Sequence, residues 1–326
     1  MDGLMQGVQL TVDRIINHAA QWHGGREIVS RDAEGQVTRT DYGAVHADAK
    51  RVSNALRAAG IMPGDRVATM GWNSARHLAA WYGAAGMGAV LHTLNPRLFP
   101  EQIVYIAKHA GSRILIADPS TVDLVEQLLK QVPTIERVIF FCDRDGIPES
   151  NIAATSFDEW IAEQPAEFAW GDFDENSACG LCYTSGTTGN PKGVLYSHRS
   201  NYIHALMTLQ ADALALSARD TVLLVVPMYH ANAWGVVYSA PAVGAKLVLP
   251  GQRMDGESIY ELIEEEGVTY SAAVPTVWQM LLEYMQENNK RFTTLERVTI
   301  GGSACPESLI RAFRDDYGVE VIQGWG

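Results

Sequence analysis

"DRVATMGWNSARHLAAWYGAAGMGAVLHTLNP", residues Asp65 to Pro96, reads as strand, helix, strand. "DRVATMGWN" is a short strand. Ser74 stands where it can cap the helix "ARHLAAWYGAAGMG". "AVLHTLNP" is a second strand, ended by Pro96. Two successive strands joined through a helix run parallel, because only a crossover of that length returns the chain to the same edge of the sheet. A parallel sheet is covered by helices on both faces. This stretch therefore predicts an α/β fold.

The alternation extends in both directions. Upstream, "DYGAVHADAKRVSNALRAAG" places Tyr42, Val45, Ala49, Val52, Leu56 and Ala59 at spacings of three and four, and stops at Gly60. Downstream, helix "FPEQIVYIAKHAG", strand "RILIAD", helix "STVDLVEQLLKQVP" and strand "ERVIFF" follow in turn. The polar stretch from Cys142 to Asn176 breaks the rhythm and reads as a connection between lobes, with one short helical piece, "FDEWIAEQ". Alternation then resumes with strand "CGLCYT", helix "HRSNYIHALMTLQADALA", strands "TVLLVVP" and "AKLVLP", helix "ESIYELIEEEG", strand "TYSAAVPT", helix "VWQMLLEYMQENN", strand "RVTIGG", helix "PESLIRAFRDDYG" and strand "VEVIQ". The expected architecture is two doubly wound, mainly parallel sheets covered by helices. Residues 1–175 would form a first α/β subdomain with its connecting segment, and 176–326 a second.

Bulk properties agree. A chain of 326 residues exceeds what one core usually organises. A formal net charge of −13 argues against nucleic acid or an anionic membrane as the main partner, and no apolar run is long enough to span a bilayer. The N-terminus has no basic segment followed by an apolar core, so no signal peptide is expected. Four cysteines are too few for a disulfide scaffold and suit the reducing cytoplasm. Cys179 and Cys182 form a C-x-x-C, but within an apolar strand-like run and without a second pair, which favours buried strand cysteines over a redox or zinc site. The acidic run Glu264–Glu266 reads as a solvated helix end, and His198 and His204 as structural.

Between two apolar stretches lies "YTSGTTGNPKG", Tyr183 to Gly193. Its glycines allow close approach of backbone N–H groups to a ligand. The hydroxyls of Thr184, Ser185, Thr187 and Thr188 can donate to phosphate oxygens, and Lys192 adds a mobile positive charge. A flexible linker would not need the preceding strand or the structured half that follows. A Walker A loop would need Gly where Pro191 stands and Ser or Thr where Gly193 stands. A dinucleotide fingerprint is also missing, since "GMG" at Gly86–Gly88 lacks the third glycine.

The loop resembles the phosphate-loop signature of the adenylate-forming superfamily, which holds acyl-CoA synthetases, peptide-synthetase adenylation domains and firefly luciferase. "HTLNPRLFPEQIVYI", "PMYHANAW" (Pro227–Trp234), "GGSACP" (Gly301–Pro306) and "QGWG" (Gln323–Gly326) resemble further segments of that family, in the same order. The His-x-Asn-Ala-Trp form is most similar to medium- and long-chain fatty-acyl-CoA synthetases. The resemblance implies that a fatty acid carboxylate attacks the α-phosphate of ATP to give acyl-adenylate and pyrophosphate, and that CoA thiol then displaces AMP. It implies phosphate binding by Thr184, Ser185, Gly186, Thr187, Thr188, Gly189 and Lys192, with Thr184 also contacting Mg²⁺. His230 would position the carboxylate and α-phosphate. Gly302, Ser303, Ala304, Gln323 and Gly324 would hold the adenylate, with Trp325 stacking on adenine where the family usually has tyrosine. Ala231, Trp234 and Gly301 would line the acyl site, with Trp234 lining or gating its tunnel.

The family pattern continues beyond Gly326 with a metal-binding glutamate and a C-terminal domain carrying a catalytic lysine. The expectation is therefore a piece of a ligase that cannot complete the reaction alone. A luciferase-like oxidase, an amino-acid-adenylating enzyme and a nucleotide-binding or dimerising module stay open as alternatives. "HANAW" offers no acidic residue for an amino group, which favours a plain carboxylic acid. The resemblance also allows a homodimer.

Overall fold

The computed structural model describes residues 5, 7–184 and 190–324. The chain forms two units, one comprising Met1–His18, Val45–Gly71 and Arg76–Ala205, the other Ala19–Ala44, Trp72–Ala75 and Leu206–Gly326. In chain order the elements are α1 (Asp13–His23), β1 (Glu27–Arg31), β2 (Val37–Asp41), α2 (Tyr42–Ala58), β3 (Arg66–Met70), α3 (Ala75–Gly86), β4 (Val90–Thr93), α4 (Pro100–Ala110), β5 (Ile114–Ala117), α5 (Val122–Leu129), β6 (Arg137–Phe140), β7 (Ala154–Ser156) and α6 (Phe157–Ala162). They continue with β8 (Ala178–Thr184), β9 (Lys192–Ser197), α7 (His198–Thr208), β10 (Thr221–Leu223), α8 (Val236–Val243), β11 (Lys246–Leu249), α9 (Gly256–Glu266), β12 (Tyr270–Ala273), α10 (Pro275–Glu287), β13 (Arg297–Ile300), α11 (Glu307–Arg311) and β14 (Glu320–Gln323).

The first unit holds a seven-stranded sheet in the order β7-β6-β5-β3-β4-β8-β9. Every neighbouring pair is parallel except β8 with β9, which is an antiparallel hairpin at one edge. The all-buried strands β4 and β5 sit inside this sheet: β5 is apolar throughout, and β4 buries His92 and Thr93 as well as Val90 and Leu91. One face packs Ile103, Val104, Ile106 and Ala107 of α4 and Val125 and Leu128 of α5 on Leu115, Ala117, Val138 and Phe140.

The second unit repeats the plan, with a seven-stranded sheet in the order β14-β13-β12-β10-β11-β1-β2. It is parallel throughout except for the edge hairpin β1–β2. Ile259, Leu262 and Ile263 of α9 and Trp278, Leu281 and Met285 of α10 close its core on Leu223, Val248, Ala273 and Val298.

Three expectations change. The break at 175/176 is not where the units divide, because β8 and β9 pair into the first sheet while β1 and β2 pair into the second. The segment from Cys142 to Asn176 is no free connection. Its strand β7 pairs with β6, Asn54 Nδ2 on α2 donates to the carbonyls of Pro165 (2.8 Å) and Glu167 (2.9 Å), and Trp170 Nε1 donates to Ser53 Oγ at 2.9 Å. Its polar composition concealed this, since these attachments join positions far apart in the chain and leave no local pattern. Glu266 is not a solvated helix end. It is buried and takes Arg39 at 2.6 Å and Lys246 at 2.8 Å, and the hydrogen bond from Arg39 leads the effects that hold its carboxyl below the usual range.

Candidate active site

The polar loop is the turn of the hairpin β8–β9. Tyr183 stands opposite Gly193 and Thr184 opposite Lys192, so the two ends of the loop meet as paired strand residues. Lys192 is thus the first residue of a strand rather than a member of a free loop. Edge strand β9 follows because Lys192–Leu195 are exposed and one side of the ladder is unpaired, a pattern without the alternation that marks a half-buried strand. Thr184 and Lys192 are exposed, and Pro191 between them is buried. Ser185, Gly186, Thr187, Thr188 and Gly189 lie outside the described residues.

Behind the hairpin end the packing is aromatic. Tyr183 Oη lies 2.6 Å from Nδ1 of His109, in the last turn of α4. A methyl group built on Gly193 would stand 3.1 Å from Tyr183 Cζ, so the phenol ring rests on its cross-strand partner. Buried His92 lies on the same ring, with centroids 5.4 Å apart, and its Nδ1 is 2.8 Å from Ser112 Oγ. Cys182 Sγ is 3.3 Å from Thr93 Oγ1, and Asn201 Nδ2 donates to Cys179 Sγ at 3.2 Å. Both cysteines are buried and neither is in a disulfide, as expected of strand cysteines.

The second unit gathers the other predicted residues at the carboxyl ends of its strands, where open α/β sheets bind ligands. Strand β13 ends at Ile300, which pairs with Gln323 at the end of β14, and the N–H of Gly324 donates to the Ile300 carbonyl at 2.9 Å. Gly301–Ala304 and Gln323–Gly324 are therefore adjacent. Gly302, Ser303, Ala304, Gln323 and Gly324 are exposed, while Gly301 is buried. Trp325 lies outside the described residues.

Trp234 reaches this ledge. A methyl group on Gly301 would stand 3.1 Å from Trp234 Cη2 and 3.1 Å from the Gly324 carbonyl oxygen. One on Gly302 would stand 3.5 Å from Trp234 Cζ2, and Gly302 has φ +77°, where a side chain is strained in any case. Only glycine allows the indole to lie this close.

The chain reaches Trp234 through an unusual turn. Ala231, Asn232, Ala233 and Trp234 all have positive φ, between 44° and 55°, and Gly235 continues at 78°. Each non-glycine residue in this region costs roughly 1 kcal/mol or more. Strain of this kind persists only where surrounding contacts over-determine it. Asn73 supplies them upstream: Nδ2 donates to the carbonyls of Leu224 (2.7 Å) and Val226 (3.0 Å), and Oδ1 accepts from Met228 N–H at 2.7 Å. His230 follows in extended conformation. Its edge is exposed, but packing around the ring lowers its pKa, so the imidazole is neutral near pH 7.

Among the described residues no three His, Cys, Asp or Glu side chains are placed to hold a metal ion, and no helix is long and apolar enough to cross a membrane. Sequence reasoning missed Asn73 and His109. Asn73 follows a strand's carboxyl end, where the topology rule points; His109 carries no local signal at all.

Comparison with known proteins adds the family. The chain is 46% identical over 327 residues to a medium-chain-fatty-acid–CoA ligase of Ectopseudomonas oleovorans, covering 100% of this chain and 60% of that protein. It is 45% identical over 327 residues to a 3-methylmercaptopropionyl-CoA ligase of Ruegeria lacuscaerulensis, covering 100% and 61%. The chain thus spans about three-fifths of the length of these curated relatives. Among solved structures, the N-terminal domain of FACL13 from Mycobacterium tuberculosis, with an inhibitor bound, superposes with a TM-score of 0.85 at 26% identity, over 97% of this chain and 75% of that one. The AMP-binding enzyme family model matches residues 16–326, and the chain belongs to that family.

Proposed function

We propose that this chain supplies the nucleotide and carboxylate sites of an AMP-forming acid–thiol ligase. Its substrates would be ATP, CoA and a fatty acid of medium length. The observation that carries the reading is the hairpin end, where a hydroxyl (Thr184) and an ammonium (Lys192) are paired across the mouth of a glycine- and hydroxyl-rich turn. That combination suits the terminal phosphates of a nucleotide. The turn residues Ser185, Gly186, Thr187, Thr188 and Gly189 would add hydroxyl and backbone donors.

In the other unit, the exposed ledge of Gly302, Ser303, Ala304, Gln323 and Gly324 would take the adenylate, with Trp325 beside adenine. The indole of Trp234, with Ala231 and Gly301, would line the acyl site. Neutral His230 can donate a hydrogen bond to a carboxylate or α-phosphate oxygen without adding a charge. A carboxylate is already nucleophilic, so these residues serve by alignment and by stabilising charge on the leaving pyrophosphate.

Mg²⁺ fits this chain only in part. Thr184 Oγ1 is a hard oxygen of the kind Mg²⁺ accepts, but with no acidic cluster among the described residues the ion would arrive on the nucleotide's phosphates. When bound it would neutralise phosphate charge. The unbridged cysteines support a cytoplasmic location.

The test is carboxylate-dependent pyrophosphate–ATP exchange by the full-length protein that contains this chain. The carboxylates run from 3-methylmercaptopropionate through medium to long fatty acids, with amino acids as controls. Highest kcat/KM on medium-chain fatty acids is expected. A maximum on 3-methylmercaptopropionate would move the substrate to short thioether acids, and exchange with amino acids alone would overturn the reading.

A further inference from the structure

We infer that His109 is a positioning residue for the nucleotide, acting through Tyr183 on the two ends of the phosphate loop. The inference rests on the proposed function above. Its geometry lies wholly within the first unit.

The outer strand of the hairpin is paired on one side only. Strand β9 is the edge of its sheet, and Lys192, Gly193, Val194 and Leu195 are all exposed. Strand β8 is anchored to β4 at Gly180 and Leu181, but beyond that the pairs Tyr183–Gly193 and Thr184–Lys192 are joined in the ladder only to each other. A side-chain tether from outside the hairpin would tie these pairs to the rest of the unit. Tyr183 offers one. Its ring rests on Gly193, the residue across the ladder, so holding the phenol holds both strands one pair before Thr184 and Lys192. The phenol is held by His109 Nδ1 at 2.6 Å, a bond between positions 74 residues apart in sequence.

His109 is itself placed by the fold. Helix α4 begins with Pro100 at its first position and ends at Gly111, which has φ 62° and whose N–H closes on the carbonyls of Ala107 and Lys108. These fix the last turn, which carries His109. The ring of Tyr105, one turn earlier, stacks on the imidazole with centroids 5.7 Å apart. His92 walls the other side of the phenol. The imidazole is exposed, and an exposed bond of this kind adds little to global stability. Its consequence is local, at the register of a hydroxyl and a charge that must meet phosphate oxygens within hydrogen-bonding distance.

The experiment uses the full-length protein with His109→Ala, His109→Asn, Tyr183→Phe and the Ala/Phe double variant. An asparagine amide reaches about as far as the imidazole Nδ1, so it can restore the bond. Pyrophosphate exchange gives separate KM values for MgATP and carboxylate, and hydrogen exchange reports backbone opening over residues 181–195. Expected for His109→Ala is a rise in KM for MgATP of about tenfold, the effect of one hydrogen bond, with carboxylate KM and thermal midpoint little changed. Tyr183→Phe should match it, the double variant should be no worse than either single, and His109→Asn should recover most of the loss. Amide exchange over 181–195 should quicken in His109→Ala and not elsewhere. Unchanged KM for MgATP, additive single effects, or equal rises in both KM values would overturn the inference. Wild-type protein with no carboxylate-dependent exchange would instead overturn the proposed function. Unchanged amide exchange in His109→Ala would overturn the tether whatever the wild type catalyses.

Discussion

The carbonyl oxygen of Ala49 on α2 lies where a side chain of Gly83 on α3 would begin. A methyl group at Gly83 would stand 2.6 Å from that oxygen and 2.7 Å from Val52 Cβ. Helix α3 is buried without interruption from His77 to Gly86, and the absent side chain lets the two helix backbones touch. Gly83→Ala sets two effects against each other. Alanine gains about 1 kcal/mol in helix propensity, but the methyl meets backbone, which cannot move aside as a flexible side chain would. Overpacking of this kind costs about 3 kcal/mol, so a net loss near 2 kcal/mol is expected. Urea unfolding measures it, and a more stable variant would show that the helices do not touch here.

Asn73→Ala is expected to cost about 3 kcal/mol, because three backbone groups on the path to His230 lose their partner inside a fully buried site. The loss should extend to function. Without the clamp, the left-handed turn from Ala231 to Trp234 loses the three hydrogen bonds that fix the chain leading into it, and both His230 and the indole shift. Pyrophosphate exchange by the full-length protein should fall by about a hundredfold or more at a temperature where the variant is still folded. Loss of stability with unchanged exchange would separate the clamp from the site.

Acid should destabilise the protein well above the range of ordinary carboxylates. Burial leads in lowering the pKa of three histidines from near 6.5: His46 to about 4, His92 to about 3 and His198 to about 4. As pH falls below about 6.5, the unfolded chain takes up protons at these positions and the folded one does not. Stability therefore falls with pH through this window, by at most about 1.4 kcal/mol per pH unit for each histidine. The loss from each stops once pH passes its folded value. Depressed carboxyls such as Glu266 add to the decline at still lower pH, as they take up protons. Urea midpoints at pH 7.5 and 5.0 test this, and equal midpoints would refute it.

The sheets were legible because a parallel sheet needs strand–helix alternation, and apolar runs such as "RILIAD" and "RVTIGG" have one physical solution there. What was not legible shares a cause. Strand β9 is an edge strand with both faces open, so it shows no period. The hairpin β1–β2 joins a sheet whose other strands begin almost two hundred residues later in the chain, a pairing that no local pattern encodes. Asn73 and His109 act through one or two atoms across long separations, and an asparagine or histidine looks the same in sequence whether it clamps a loop or faces water. The segment Tyr183–Gly193 stood out for the opposite reason, since its glycines, hydroxyls and lysine are concentrated in consecutive residues.

The contact of Trp234 with Gly301 gives the last expectation. Gly301→Ala puts a methyl 3.1 Å from both Trp234 Cη2 and the Gly324 carbonyl oxygen, so one of them must yield by a few tenths of an ångström. The backbone at Gly324 is tied to Ile300, whereas the indole is a partly exposed side chain on a strained turn. The indole moves first. If it lines the acyl site, Gly301→Ala should raise KM for fatty acids by about tenfold or more, most for the longer chains. KM for MgATP should change less, because the Gly324 backbone beside the proposed adenylate ledge is held by its hydrogen bond to Ile300 while the indole yields. Trp234→Ala removes the ring and should cancel the effect of Gly301→Ala, so the double variant should resemble Trp234→Ala alone. Additive effects, or an equal rise in both KM values, would mean that the indole does not transmit the change to the acyl chain.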